Sequence, residues 1–125
     1  MRRVGLLALI AALAAPAATA VSFPGGTAVG VAEREWRISL YRTKVPTGLV
    51  KLNVRNYGED GHDLAVRNAE GRVLGSVPEL RPGQRDSLRV RLRRTGRFTV
   101  FCTLEGHEAK GMRAWLVVRK RSRRA

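Results

Sequence analysis

Hydrophobic and polar residues alternate over most of the chain from Ala28 onwards. Val50, Leu52 and Val54 alternate with polar residues. The cleanest alternation covers residues 88–92, where Leu, Val and Leu alternate with two arginines. A period of two residues is typical of β-strands with one buried face. Shorter runs of the same kind cover residues 36–40, 64–66, 98–102 and 115–118. No segment keeps a helical period, so the pattern predicts an all-β fold, an antiparallel β-sandwich.

Turn-forming residues separate these runs. Pro46-Thr47-Gly48, Pro82-Gly83 and Thr95-Gly96 predict turns, and residues 56–61 form a loop with two glycines. Residues 70–80 have poor periodicity, so both a weak strand over 73–77 and a short helical turn remain open there. The sequence therefore indicates short strands joined by tight turns.

The first 20 residues differ from the rest of the chain. Arg2 and Arg3 precede an apolar run over residues 4–15, and Ala18-Thr19-Ala20 fits an A-x-A cleavage site. We predict that residues 1–20 are a signal peptide that directs export to the periplasm or beyond. It would be cleaved after Ala20. An uncleaved membrane anchor is the alternative, but the run is shorter than the ~20 apolar residues that a span needs. The remaining chain divides into a flexible lead-in at 21–27, one domain at 28–118 and a basic tail at 119–125.

The chain of 125 residues carries a net charge of +14. Arginines concentrate at positions 89, 91, 93 and 94 and in the tail. A solvated strand face and a disordered end would explain them without a function. The alternative is attraction to an anionic membrane surface or to an acidic redox partner. Export and the lack of a binding motif argue against nucleic acid.

The single cysteine provides the strongest chemical signal. An odd cysteine in an exported protein implies an intermolecular bridge or a thiol with a chemical role. Cys102, His107 and Met112 follow the spacing C-x4-H-x4-M, and His62 is the only other histidine. Two imidazoles, a thiolate and a thioether are the ligands of blue-copper electron-transfer sites. The sequence thus predicts one copper site with His62, Cys102, His107 and Met112 as metal ligands.

These residues resemble the cupredoxins, the plastocyanin and azurin family of type 1 blue copper proteins. The family's cysteine loop is similar to 102–107 followed by Met112, and its first-histidine motif is similar to Gly61-His62-Asp63. The resemblance implies a Greek-key β-sandwich of about eight strands with copper at one end. It makes the carbonyl of Gly61 a candidate weak axial contact. Asp63 replaces the family's asparagine, and we expect it to accept hydrogen bonds from Thr103.

The resemblance implies a monomeric carrier of one electron that exchanges it with a redox protein partner. We expect no enzymatic activity, because a closed copper site has neither an open position nor a general base. A copper carrier or storage protein that delivers copper to an oxidase is the main alternative. A structural zinc site and a sandwich without metal also remain open at the level of sequence.

Overall fold

The computed structural model describes residues 25–122, which form nine β-strands. The strands are β1 (Gly26–Arg34), β2 (Arg37–Leu40), β3 (Lys44–Pro46), β4 (Gly48–Asn56), β5 (His62–Arg67), β6 (Val73–Leu80), β7 (Arg85–Leu92), β8 (Gly96–Phe101) and β9 (Arg113–Arg119). No helix in this range is long and apolar enough to cross a membrane. The predicted signal peptide, most of the lead-in and the end of the basic tail lie outside the described residues.

The strands form two sheets that enclose one core. The first sheet has the order β2-β1-β4-β7, and the second has the order β3-β9-β8-β5-β6. β1 pairs with β4 and β3 pairs with β9 in parallel, whereas the other pairs are antiparallel. The predicted all-β sandwich is confirmed, with nine strands in place of about eight. The expectation that it is antiparallel throughout is wrong, because two of its strand pairs are parallel.

Alternation of apolar and polar residues builds the core as predicted. On β4, Val50, Leu52 and Val54 are at most 1% exposed, while Asn53 between them faces solvent. The apolar residues of β7 also point inwards, and its arginines point outwards. Removing this apolar surface from water stabilises the sandwich by roughly 25 cal/mol for each Å² buried.

Two segments differ from the sequence-based expectation. The helical turn considered within 70–80 is absent, because Val73–Leu80 forms a complete strand at the edge of its sheet. Gly75 and Pro78 weaken its pattern, and proline is tolerated on an edge strand because it has no N–H to donate. The second segment, Lys44–Pro46, forms a strand that the sequence did not predict, since only Val45 in it is buried.

Strand direction determines where the candidate ligands lie. β5 begins at His62, while β8 ends just before Cys102, and the turn 35–36 that links β1 to β2 lies at this same end. We call this the site end. The turns 68–72 and 93–96 lie at the opposite ends of β5 and β8, and we call that region the distal end. The fold thus separates the candidate ligands from the arginine-rich turns.

Candidate metal centre

His62 begins β5 and is completely buried. Its Nε2 atom lies 2.8 Å from Oε1 of Glu35. The same Glu35 oxygen accepts hydrogen bonds from the amides of Glu59, at 2.9 Å, and Asp60, at 2.8 Å. These bonds, that from Asp60 first, lower the pKa of Glu35 to about 2, so this side chain is an ionised acceptor.

An ionised acceptor determines which nitrogen of His62 carries the proton. Glu35 can only accept, so Nε2 of a neutral His62 must donate and Nδ1 must keep its lone pair. That Nδ1 atom lies 3.2 Å from Nδ1 of His107. Two lone pairs at this distance would repel each other, so the two rings need a proton or a cation between them. This arrangement fits a pair of imidazole ligands to one metal ion.

Cys102 supplies the third donor atom. It follows the last residue of β8, is 1% exposed, and its Sγ atom lies 3.6 Å from Nδ1 of His107. One ligand atom from each of His62, Cys102 and His107 lies within 4.8 Å of the others. Burial raises the pKa of the Cys102 thiol to about 11, so a metal ion that binds there must displace a proton.

The loop 102–112 is closed by its own backbone hydrogen bonds. The amide of Cys102 donates to the carbonyl of Met112 at 3.1 Å, and the amide of Met112 donates to the carbonyl of His107, also at 3.1 Å. Met112 is completely buried and belongs to the same hydrophobic cluster as Cys102. The loop therefore holds Cys102 and Met112 against the core and places the half-buried His107 close to Cys102 at the site end.

Asp63 ties this loop to β5. One of its carboxylate oxygens accepts a hydrogen bond from the amide of Thr103 at 2.6 Å, and the other accepts from the hydroxyl of Thr103. This is the contact expected from the sequence. It fixes the position of the residue that follows Cys102 relative to the residue that follows His62. Contacts of this kind orient metal ligands, and their loss typically lowers metal affinity by about 10- to 100-fold.

Trp36 covers the two histidine rings. Its ring meets that of His107 edge to face, with centroids 4.9 Å apart, and that of His62 at 6.4 Å. The ammonium group of Lys110 lies 4.0 Å from the centroid of the Trp36 ring. Trp36 is only partly buried, so it forms part of the surface beside His107.

An ion pair between Arg67 and Glu108 holds the outer side of the loop 102–112. Arg67 at the end of β5 binds both carboxylate oxygens of Glu108, and its guanidinium lies 4.2 Å from the Phe101 ring centroid. Both side chains are about one quarter exposed, at 27% and 28%, so solvent screens the pair only in part. The pair therefore fixes the position of Glu108, the loop residue next to His107. A guanidinium that binds both carboxylate oxygens holds it more rigidly than the single ammonium group of a lysine would.

Glu33 is a buried carboxyl group close to this centre. It is completely buried, and neither carboxyl oxygen has a hydrogen-bond partner among the described residues. Burial, with a smaller contribution from the charge of Asp63, raises the pKa of Glu33 to about 8. Glu33 is therefore mostly protonated at neutral pH.

The structure brings His62, Cys102 and His107 together and places Met112 in the same loop. Their roles as metal ligands, and that of the Gly61 carbonyl as an axial contact, stay predictions. Sequence reasoning missed Glu33, Glu35 and Trp36. One signal was present, because Glu33 continues the inward-facing series of Val29 and Val31 on β1. A carboxyl group at an inward strand position indicates a functional or strongly coupled site.

No family model matches the chain, and no curated protein matches its sequence. Solved structures do share its fold. An auracyanin from Roseiflexus castenholzii aligns with a TM-score of 0.61 and 15% identity over 74% of this chain and 97% of its own. Auracyanin A from Chloroflexus aurantiacus, described as a "blue" copper protein, aligns with a TM-score of 0.60 and 14% identity over 76% of this chain and 100% of its own. Rusticyanin from Thiobacillus ferrooxidans aligns with a TM-score of 0.63 and 13% identity over 76% of this chain and 78% of its own. The chain shares the sandwich fold of these proteins.

Proposed function

We propose, starting from its cupredoxin fold, that this chain binds one copper ion and carries one electron between protein partners. His62, Cys102, His107 and Met112 would hold the ion. Bound copper would supply a Cu(II)/Cu(I) couple, which a mixed set of imidazole, thiolate and thioether ligands suits in both oxidation states. The observation that carries the proposal is the convergence of three donor atoms within 4.8 Å at one end of the sandwich.

The residues around the donors support electron transfer over substrate chemistry. Glu35 fixes the proton of His62 on Nε2, and Asp63 holds the residue after Cys102. The loop is closed by backbone bonds, so the donor atoms need little movement when the oxidation state changes. A rigid set of donors lowers the reorganisation that each electron transfer requires, whereas catalysis would require an open position for a substrate.

His107 would be the route by which the electron leaves the site. It is the less buried of the two histidines and lies beside the partly exposed Trp36. A redox protein would dock against this part of the site end, and we propose that the carrier acts as a monomer. We also propose that the chain works outside the cytoplasm after cleavage behind Ala20. Mass spectrometry of the mature protein tests that step, since an intact Met1 would contradict it.

Addition of Cu(II) to the purified protein tests the copper site. We expect an intense visible absorption from charge transfer between the Cys102 thiolate and Cu(II), together with reversible one-electron voltammetry. Cys102→Ser should abolish the absorption, whereas Ser122→Ala, a change far from the loop, should leave it intact. Binding of zinc with no response to copper would contradict the proposal. A slow, thiol-dependent loss of copper to an acceptor protein would favour the copper carrier.

A further inference from the structure

A cleft at the distal end lies between the edge strands β6 and β7. Its volume is about 540 Å³, and the turns 68–72 and 93–96 form its walls. Its lining includes five arginines, Arg72, Arg91, Arg93, Arg94 and Arg97, whereas Glu70 is the only acidic residue in it. Five cations around one concave surface create a strongly positive potential there.

Most of these arginines have no partner within the described part of the chain. Arg97 lies over the Trp115 ring, 4.6 Å from its centroid. The side chains of the other four form no hydrogen bond or ion pair with another residue of 25–122. All five are exposed. Guanidinium groups bind phosphate oxygens in pairs, so the cleft presents donors that suit a phosphate group.

The charges of the molecule are segregated between its two ends. Of the 10 acidic residues, only Glu70 lies away from the site end. The others lie in the turns and strand ends of the site end: Glu33, Glu35, Glu59, Asp60, Asp63, Glu79, Asp86, Glu105 and Glu108. The basic tail begins at the distal end, because Val118 pairs with Gly96 and Arg119 follows it. Among the described residues, the excess of basic over acidic side chains therefore favours anions at the distal end.

Exposed aliphatic residues adjoin the arginines. Val73, which is 51% exposed, and Leu74, which is 37% exposed, follow Arg72 directly at the start of β6. Aliphatic side chains beside cations suit the boundary between lipid headgroups and acyl chains better than they suit a free anion. A purely acidic peptide would leave these two side chains without apolar contacts.

We infer that the arginine-lined cleft binds the phosphate headgroups of anionic lipids and docks the protein on a membrane surface. Arg72, Arg93 and Arg94 contact headgroup phosphates, and Val73 and Leu74 enter the interface. The site end then faces away from the membrane, where His107 is accessible to a redox partner. The inference goes beyond the proposed copper chemistry and does not require it.

Co-sedimentation with lipid vesicles tests the inference on the mature protein without added metal. The two vesicle compositions are pure phosphatidylcholine and equimolar phosphatidylcholine and phosphatidylglycerol. Arg93→Glu/Arg94→Glu is the cleft variant. Arg81→Glu/Arg85→Glu is its matched control, because it makes the same charge change near the same two strands at the site end. Val73→Ser/Leu74→Ser tests the apolar contribution, and circular dichroism checks that each variant folds.

We expect binding to the anionic vesicles alone, weakened by salt. The cleft variant should lose affinity on the order of tenfold or more, and the control variant much less. Val73→Ser/Leu74→Ser should weaken vesicle binding without changing any binding of inorganic phosphate. Equal losses in both charge variants would overturn the inference, because net charge alone would then explain binding. An affinity for inorganic phosphate equal to that for the anionic vesicles would also overturn it. So would binding of polyglutamate in place of vesicles.

Discussion

Glu35 contacts His62, and the effect of its charge on the proposed copper site can be measured separately from the effect of its shape. Glu35→Gln keeps an oxygen that can accept from Nε2 of His62 but removes the negative charge. We expect weaker Cu(II) binding, roughly ten- to a hundredfold, because the carboxylate increases the basicity of the imidazole. The reduction potential should rise on the order of tens of millivolts, since the lost charge favoured Cu(II).

Voltammetry and competitive metal titration measure these two effects. Glu59→Gln is a suitable control, because the Glu59 amide, and not its side chain, contacts Glu35. Its potential should stay close to that of the unmodified protein. An unchanged potential in Glu35→Gln would show that the carboxylate only positions the ring.

Glu33 gives stability a pH dependence with a definite sign. Its pKa is about 8 in the folded protein and 4.5 in the unfolded chain, so the folded state retains the proton at neutral pH. A group whose pKa is raised in the folded protein favours the folded state as long as it is protonated. This contribution to stability is fully present at low pH and is lost as pH rises. Between about pH 5 and about pH 8, we expect Glu33 to lower the free energy of unfolding by about 1.4 kcal/mol per pH unit.

Urea denaturation at several pH values measures this slope. Glu33→Gln keeps the shape of the neutral acid and should remove most of the slope, so it stabilises the protein most at the alkaline end. Glu70→Gln, a change at an exposed position in the distal turn, should keep the slope of the unmodified protein. If Glu33→Gln retained the full slope, other groups would have to account for the pH dependence.

At the level of elements, the loop 102–112 depends on a close approach between its end and the turn 35–36. Gly111 has φ +120°, and a Cβ placed there would lie 2.9 Å from the carbonyl oxygen of Trp36. Gly111→Ala should therefore destabilise the fold by about 2–3 kcal/mol and displace the loop that carries His107. Gly106 has φ +77° with open space around it, so Gly106→Ala should cost only about 1 kcal/mol.

Thermal unfolding and copper titration measure both loop variants. The two alanines differ in the steric contact with Trp36 and in backbone strain, since the φ of Gly111 lies further from the left-handed region open to alanine than the φ of Gly106 does. We expect copper affinity to fall clearly more in Gly111→Ala than in Gly106→Ala. Equal effects would mean that the approach to Trp36 does not hold the loop in place.

The same elements show what the sequence could predict. β4 and β7 were clear because each has one inward apolar face, and the candidate ligands were clear because Cys, His and Met are rare in this chain. Glu35 could not be predicted as a partner of His62. Their contact depends on the parallel pairing of β1 with β4, which brings the turn 35–36 beside the loop before β5. Local periodicity carries no information about such long-range pairing.

For the molecule as a whole, the segregation of charge should make stability depend on salt. Arginines repel one another at the distal end, so removal of one of them relieves repulsion, whereas an arginine at the site end lies among acidic residues. At low ionic strength, Arg94→Gln should raise the melting temperature and Arg81→Gln should lower it or leave it unchanged. Each change should amount to about 0.5 kcal/mol or less, which corresponds to roughly 2–4 °C for a domain of this size.

Differential scanning calorimetry at two salt concentrations tests this expectation. The Debye length falls from about 30 Å at 0.01 M salt to about 10 Å at 0.1 M, so the two arginine variants should converge as salt is added. The unmodified protein should gain stability over the same range, because its net charge of +14 opposes the compact state. A difference between the variants that persists at high salt would point to lost packing, since arginine stems also cover apolar surface and salt does not screen that contribution.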